Sequence, residues 1–128
     1  MNIGLIIGKK NSVGVPGKNT KSLLGRPSAE YAFIASEKSN IDMTFCSTDC
    51  PTIKDIAKKY QSIIIDRPNI LATPESLTED VLTHAYEEIT KKVDEKKIDT
   101  ISLLFCNNPA IDVNLLNEAI DFLKASDD

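Results

Sequence analysis

The basic loop from Gly8 to Asn19 is the segment of this sequence best suited to chemistry. It reads GKKNSVGVPGKN and sets Lys9, Lys10 and Lys18 among glycines and a proline. Glycines let backbone N–H groups approach an anion closely, and lysines neutralise phosphate charge. The loop therefore predicts a phosphate-binding site.

Neither of two common phosphate-binding motifs fits this loop. A P-loop, GxxxxGK[ST], would place its last glycine and lysine at Gly17 and Lys18, but Ser12 stands where its first glycine belongs. Asn19 also stands where that motif needs a hydroxyl side chain. The dinucleotide fingerprint GxGxxG requires a G-x-G, which the segment lacks. Both motifs are excluded.

The charge of the chain is unevenly distributed. Residues 1–29 carry five basic and no acidic residues, whereas the remainder carries 10 basic and 19 acidic residues, for a net charge of −4. A basic segment on an acidic protein indicates a local anion site, and within it Lys10 and Lys21 are interpreted as solvated. Nucleic-acid binding is not expected, because it needs a broad basic face and the chain has 5% aromatic residues and no tryptophan.

The other side chains that could do chemistry also have structural explanations. Cys46, Cys50 and Cys106 form no CxxC pair, which argues against a disulfide framework or a zinc site. The first and last of them lie in apolar strands and are expected to be buried. His84, the only histidine, lies beside apolar residues in a predicted helix and is interpreted as structural. Asp49 is either a metal ligand or a helix cap.

Apolar runs alternate with amphipathic segments along the whole chain. Ser28 is expected to cap the first helix, Pro51 to open the second and Thr78 to cap the third. Residues 8–27 and 66–77 are interpreted as loops. The predicted strands cover 3–7, 43–46, 62–65 and 100–106, and the predicted helices cover 29–38, 51–60, 78–93 and 113–125.

This alternation predicts a single α/β domain over residues 1–128, a three-layer Rossmann-like parallel sheet with helices on both faces. The expected strand order is third, second, first, fourth. Ligands of such sheets bind outside the carboxyl ends of the strands, so we expect the functional residues there. The four strand ends are residues 8–9, 47–49, 66–68 and 106–108.

The sequence contains no membrane or export signal that we recognise. No apolar run approaches the ~18 residues of a membrane span. The first eight residues lack the basic leader and cleavage site of a signal peptide and are interpreted as a strand. We therefore expect a cytoplasmic protein without a membrane partner.

Several short blocks, in this order, resemble the acylneuraminate cytidylyltransferase family, whose type is CMP-N-acetylneuraminate synthetase. The family has ARxGSKGxPxKN after its first strand, PLxGKPL, an STD block, RPxxLAxD and DVxxHAL. The resemblance covers nearly the whole chain and implies the nucleotide-diphospho-sugar transferase type of fold. The matching blocks are GVPGKN at 14–19, LLGRP at 23–27, STD at 47–49, RPNILAT at 67–73 and DVLTHA at 80–85.

This resemblance implies transfer of CMP from CTP to a 2-keto acidic sugar, with release of pyrophosphate, with Mg²⁺ as cofactor and in a homodimer. Lys18 would be the catalytic residue and main phosphate contact, and Asn19 would hydrogen-bond the phosphate or the sugar. Lys9 stands where the family has arginine. Arg67 would bind nucleotide or phosphate, although it could instead pair with Asp66 or a helix end. The substrate-binding residues so implied are Lys9, Asn11, Ser12, Lys18, Asn19, Arg67 and Asn107.

The chain also departs from the family pattern. Phe105 replaces a glutamine associated with substrate contact, and Val13 replaces the second loop lysine. The resemblance implies that the metal-binding aspartates and the dimerisation arm lie beyond residue 128. We therefore expect a truncated form of the fold with no metal ligand in this chain, which alone does not turn over. The alternatives are a non-catalytic nucleotide-binding fragment or degenerate paralogue, or a related nucleotidyltransferase with another base or sugar.

Overall fold

The computed structural model describes residues 1–8, 22–23, 26–27, 29–67, 78–106 and 112–125, in which strands and helices alternate as predicted. All four predicted strands and all four predicted helices are present, with ends shifted by up to two residues. The elements are β1 Asn2–Gly8, β2 Ser22–Leu23, β3 Arg26–Pro27, α1 Glu30–Lys38, β4 Met43–Thr48, α2 Pro51–Lys59, β5 Ile63–Asp66, α3 Thr78–Lys92, β6 Thr100–Phe105 and α4 Val113–Ala125.

Four of the strands form a parallel sheet in the order β5-β4-β1-β6. This order is the predicted one, and the predicted α/β fold class is confirmed. β1 pairs on both sides, and all seven of its residues are buried. Gly8 is in register with Thr48, and Thr48 with Asp66, so β1, β4 and β5 end at the same level.

Helices cover both faces of this sheet, which explains why the strands are apolar on both sides. On one face, β1, β4 and β5 pack against α3; on the other, the sheet packs against α1 and α2, with Leu116 of α4 at the margin. The α3 side buries Ile3, Leu5, Ile7, Phe45, Ile65, Val81, Ala85, Ile89 and Val93. The opposite side buries Ile6, Ala29, Ala32, Phe33, Cys46, Cys50, Ile53, Ile56, Ala57, Leu104 and Cys106.

Two helix caps differ from the prediction. The cap position of α1 is Ala29, which makes no side-chain cap hydrogen bond, rather than Ser28, which lies outside the described residues. The cap position of α2 is Cys50 rather than Asp49. The reason is Pro51: the residue before a proline is held in an extended conformation, so Cys50 (φ −88°, ψ 120°) marks the helix boundary.

Two short elements were missed by the sequence analysis. Within the segment interpreted as a loop, β2 and β3 pair as an antiparallel ribbon. After α3, a 3₁₀ turn covers Glu95–Lys97, and the Asp94 side chain accepts a hydrogen bond from the backbone N–H of Lys96. Both are too short to produce a hydrophobic period. None of the described helices is long and apolar enough to cross a membrane.

Helix α2 ends in a Schellman motif around a residue with positive φ. Gln61 has φ 58°, the N–H of Ser62 bonds to the carbonyl of Ala57 at 2.9 Å, and the N–H of Gln61 bonds to the carbonyl of Lys58 at 3.2 Å. Glycine is the usual residue at this position because it has no Cβ to strain the left-handed conformation.

We predict that Gln61→Gly raises the free energy of unfolding by about 0.5–1 kcal/mol, because it removes this strain. Gln61→Ala is the matched control: it removes the same side chain but keeps the Cβ, and should give no gain. Urea unfolding of the three proteins measures both effects. Equal stabilities of the glycine and alanine variants would show that the backbone conformation is not strained.

Candidate functional site

The carboxyl edge of the sheet brings together residues from β4, from the end of β5 and from the end of β6. β4 and β5 end in register at the pair formed by Thr48 and Asp66. Ser47 lies one residue before this pair on β4, and Arg67 directly follows Asp66 at the end of β5. Ser47 is fully buried and Arg67 is only 8% exposed. The predicted convergence of strand ends is therefore confirmed for these strands.

Arg67 is held by Ser47 through two hydrogen bonds. Its Nε donates to the Ser47 hydroxyl at 3.0 Å, and its Nη2 donates to the Ser47 carbonyl at 2.9 Å. Its third nitrogen, Nη1, is buried and has no hydrogen-bond partner among the described residues. A guanidinium carries five N–H donors in a rigid plane, so two fixed nitrogens determine where the third one points.

The expected alternative, an ion pair between Arg67 and Asp66, is not formed. The carboxylate of Asp66, which is largely exposed, pairs instead with Nζ of Lys54 at 2.7 Å. Burial lowers the pKa of Arg67 from its usual value, and the charge of Asp49 is the largest influence in the opposite direction. The acceptors that hold the guanidinium are therefore neutral. The carboxylate with the largest electrostatic effect on the guanidinium is that of Asp49.

Buried thiols lie close to this guanidinium. Cys46, Cys50 and Cys106 are free and buried, as predicted for the first and last of them. Burial raises the pKa of the Cys106 thiol to about 12 and raises that of Cys46 further above its usual range. These two thiols therefore stay protonated at neutral pH and do not neutralise Arg67. The charge of Arg67 opposes this rise, but burial outweighs it, so neither thiol is activated as a nucleophile.

Gly8 lets Cys106 pack against the end of β1. A Cβ at Gly8 would lie 2.7 Å from the Sγ of Cys106 and 2.7 Å from the Cδ1 of Ile53, closer than real carbon atoms approach. The glycine that begins the basic loop is thus required by packing.

Of the predicted site residues, the structure describes one, Arg67. The others, Lys9, Asn11, Ser12, Lys18, Asn19 and Asn107, lie outside the described residues. The residue that sequence reasoning missed is Ser47: it was noted within the STD block but given no role. A serine near the end of an apolar strand, beside a strand that arginine directly follows, is the signal that could have found it.

Two further residues considered in the sequence analysis are Phe105, the last residue of β6, and His84, on α3. Phe105 is 39% exposed at the end of β6, so the residue that replaces the family's glutamine presents an aromatic surface. His84 lies on α3 with its Nε2 3.8 Å from the Oε1 of Glu88. Its Nδ1 is buried and has no hydrogen-bond partner in the part of the chain that the structure describes.

The described residues do not fit a metal ion. Among them, no group of three or more histidine, cysteine, aspartate or glutamate side chains could hold one. At the strand ends they offer Asp49 and Asp66, and the second is paired with Lys54. Protein sites for Mg²⁺ use carboxylates in octahedral geometry, so we derive no chemical step through a metal here.

A family model described as cytidylyltransferase matches residues 3–128. The chain belongs to the cytidylyltransferase family. No protein of curated function matches the sequence significantly.

Solved structures share the fold of this cytidylyltransferase chain. CMP:2-keto-3-deoxy-manno-octonic acid synthetase in complex with CTP is similar to 98% of the chain, with a TM-score of 0.76 and 17% identity. A cytidylyltransferase from Leptospira borgpetersenii is similar to 94%, with a TM-score of 0.70 and 19% identity. Rv0371c from Mycobacterium tuberculosis in complex with manganese is similar to 98%, with a TM-score of 0.68 and 11% identity.

The cytidylyltransferase chain spans about half the length of the synthetase and of the Leptospira protein, covering 48% of each, and 60% of Rv0371c. At these identities the likeness concerns the fold. It is the family model that assigns the chain to the cytidylyltransferase family.

The buried thiols generate a pH-dependent prediction. In the unfolded chain a cysteine ionises near pH ~8.5, whereas folded Cys106 keeps its proton up to about pH 12. Above pH ~8.5 the unfolded state binds fewer protons than the folded state, so the free energy of unfolding falls as pH rises. We expect a loss of roughly 1 kcal/mol per pH unit for each such thiol between about pH 9 and 11.

Urea unfolding across this pH range measures the slope, and Cys106→Ala should make it shallower than in the parent chain. Ser36→Ala, which also removes a buried side chain but one that does not ionise in this range, is the control and should leave the slope above pH ~9 unchanged. Identical slopes for the parent and Cys106→Ala would show that this thiol already ionises in the folded protein.

Proposed function

We propose that this chain is the nucleotide-binding half of a CMP-sugar synthetase, which converts CTP and a 2-keto acidic sugar to a CMP-sugar and pyrophosphate. A sugar hydroxyl attacks the α-phosphate of CTP, a new O–P bond forms, and the bond to the β-phosphate oxygen breaks. Pyrophosphate leaves and the hydroxyl loses its proton. Little covalent chemistry falls to the protein in such a transfer, so its task is to position the nucleotide and neutralise charge.

The observation that carries this proposal is the buried guanidinium of Arg67. A cation that is 8% exposed, held by two neutral acceptors of Ser47 and with Nη1 unpartnered among the described residues, is a poor arrangement for stability alone. It is a good arrangement for an anionic ligand, because an N–H to phosphate hydrogen bond satisfies both the charge and the donor. Family membership supports CTP as that ligand.

The basic loop supplies the remaining contacts in this proposal. Lys18 neutralises the phosphates as the main contact, and Asn19 hydrogen-bonds the phosphate or the sugar side. Lys9 adds charge in place of an arginine, although without its bidentate fork. Asn11, Ser12 and Asn107 complete the proposed substrate-binding set.

The acidic sugar, Mg²⁺ and the homodimer belong to the proposal through the resemblance alone. A cytoplasmic location belongs to it as well, and the three free thiols support a reducing compartment. The second candidate, a nucleotide-binding module without turnover, is favoured by the absence of a three-ligand metal group from the described residues. Pyrophosphate release from CTP, Mg²⁺ and a sialic-acid-like or KDO-like acid would separate the two functions.

We predict that Lys18→Ala weakens CTP binding by roughly 1.5–3 kcal/mol, the usual scale of a charge-assisted contact, with little loss of folding stability. Isothermal titration calorimetry with CTP measures it. Lys21→Ala removes the same charge from the same basic segment and is the control, which should bind as the parent does.

The same titrations with UTP, GTP and ATP test the base, and CTP should bind most tightly. Equal CTP affinity in the parent and Lys18→Ala would remove Lys18 from the site. Failure of the parent chain to bind CTP would contradict the proposed function itself.

A further inference from the structure

Arg67 can bind a ligand only if its guanidinium points towards that ligand. Among the described residues, one residue holds the guanidinium in its orientation. Both of its hydrogen bonds go to Ser47, one to the hydroxyl and one to the carbonyl. The strand register places Ser47 opposite Ile65, two residues before Arg67, so the arginine side chain turns back over the end of β4 to reach it. Ser47 is fully buried, so water does not compete for its hydroxyl.

We propose that Ser47 is a positioning residue, which fixes the plane of the Arg67 guanidinium so that Nη1 donates to a phosphate of the bound nucleotide. This inference rests on the proposed function, because it takes Arg67 as a contact to the anionic part of CTP. With Nε and Nη2 both bonded to Ser47, rotation of the planar group would break both bonds, so the direction of Nη1 is set before the ligand arrives. A contact arranged in advance costs less ordering on binding.

The surroundings of Arg67 fit this role. The nearby thiols of Cys46 and Cys106 remain protonated, since burial raises the pKa of each. The carboxylate of Asp66 is engaged with Lys54. Asp49 acts on the guanidinium by its charge, and the two hydrogen bonds that hold the group come from neutral acceptors. The cation is thus oriented without being neutralised by its hydrogen-bond acceptors.

The test is a double-mutant cycle on CTP binding, measured by calorimetry with the full chain. Arg67→Ala should weaken CTP binding roughly 10- to 100-fold, the scale of a charged hydrogen bond. Ser47→Ala should weaken it roughly 3- to 10-fold, because the Ser47 carbonyl still holds Nη2. In the Arg67→Ala background, Ser47→Ala should cause no further loss. Cytidine, which has no phosphate, should bind all four proteins equally.

Ser36→Ala is the matched control. Ser36 is also a buried serine, its hydroxyl lies 2.6 Å from the Thr44 hydroxyl, and it lies near the amino end of β4. Its loss should lower stability as Ser47→Ala does but leave CTP binding unchanged. If Ser36→Ala and Ser47→Ala weakened CTP binding equally, the effect would be a general one of losing a buried serine, and the proposal would be overturned.

A second measurement does not depend on the variants folding. The chain has two arginines, Arg26 and Arg67, so its arginine Nε–H spectrum contains two signals, which Arg26→Lys assigns. The Arg67 signal should exchange slowly with solvent and shift when CTP is added. A rapidly exchanging signal, or no shift on CTP addition, would overturn the proposal.

The outcomes separate this inference from the proposed function. Unchanged CTP affinity in Arg67→Ala would remove Arg67 from the site and contradict the observation on which the proposed function rests. Weakened binding in Arg67→Ala with parent-like binding in Ser47→Ala would overturn the positioning role alone. An equal loss from Ser47→Ala with and without Arg67 would also overturn it, because Ser47 would then act through another group.

Discussion

A cation held inside the protein by neutral acceptors is the constraint on which this site depends. Removing a guanidinium from water costs several kcal/mol, and the hydrogen bonds that it donates to neutral oxygens recover only part of that cost. Arg67 is 8% exposed, and its two hydrogen bonds within the described part of the chain both end on Ser47. In the proposed function, an anion bound at Nη1, which has no partner among the described residues, stabilises this arrangement further.

The parallel sheet makes this arrangement possible. β1, β4 and β5 end in register, which sets Gly8, Thr48 and Asp66 at one level and lets Arg67 reach back to β4. The thiol of Cys106 fills the space beside Gly8, where a Cβ would clash with it. Ser47 and Arg67 are buried at this edge, and a low-polarity environment strengthens the charge interactions of the guanidinium.

Much of the fold follows from the hydrophobic pattern. Continuous apolar runs such as 3–7 and 100–106 predicted buried parallel strands, and the order of the sheet followed from right-handed crossovers. The structure differs from the prediction in short segments, where local constraints rather than the hydrophobic pattern determine the conformation. Pro51 begins α2 as predicted, but Cys50 rather than Asp49 is at its cap position, and the paired segments of β2 and β3 are too short to show a period.

The site was less accessible from sequence than the fold. Arg67 was found through resemblance, but its partner depends on which strands are neighbours and in which register. Asp66 is adjacent in sequence, yet it points to the opposite face and pairs with Lys54, while Ser47, 20 residues away, holds the arginine. Alternation along a strand separates neighbours in sequence and joins residues on adjacent strands, so the pairing became visible only with the sheet.

A crystal structure of the chain with CTP tests the central claim most directly. The account predicts a phosphate oxygen about 2.7–2.9 Å from Nη1 of Arg67, the range of a charge-assisted hydrogen bond, with the two bonds to Ser47 retained. CTP bound with every phosphate oxygen beyond hydrogen-bond distance of Nη1, or with Arg67 released from Ser47, would contradict it.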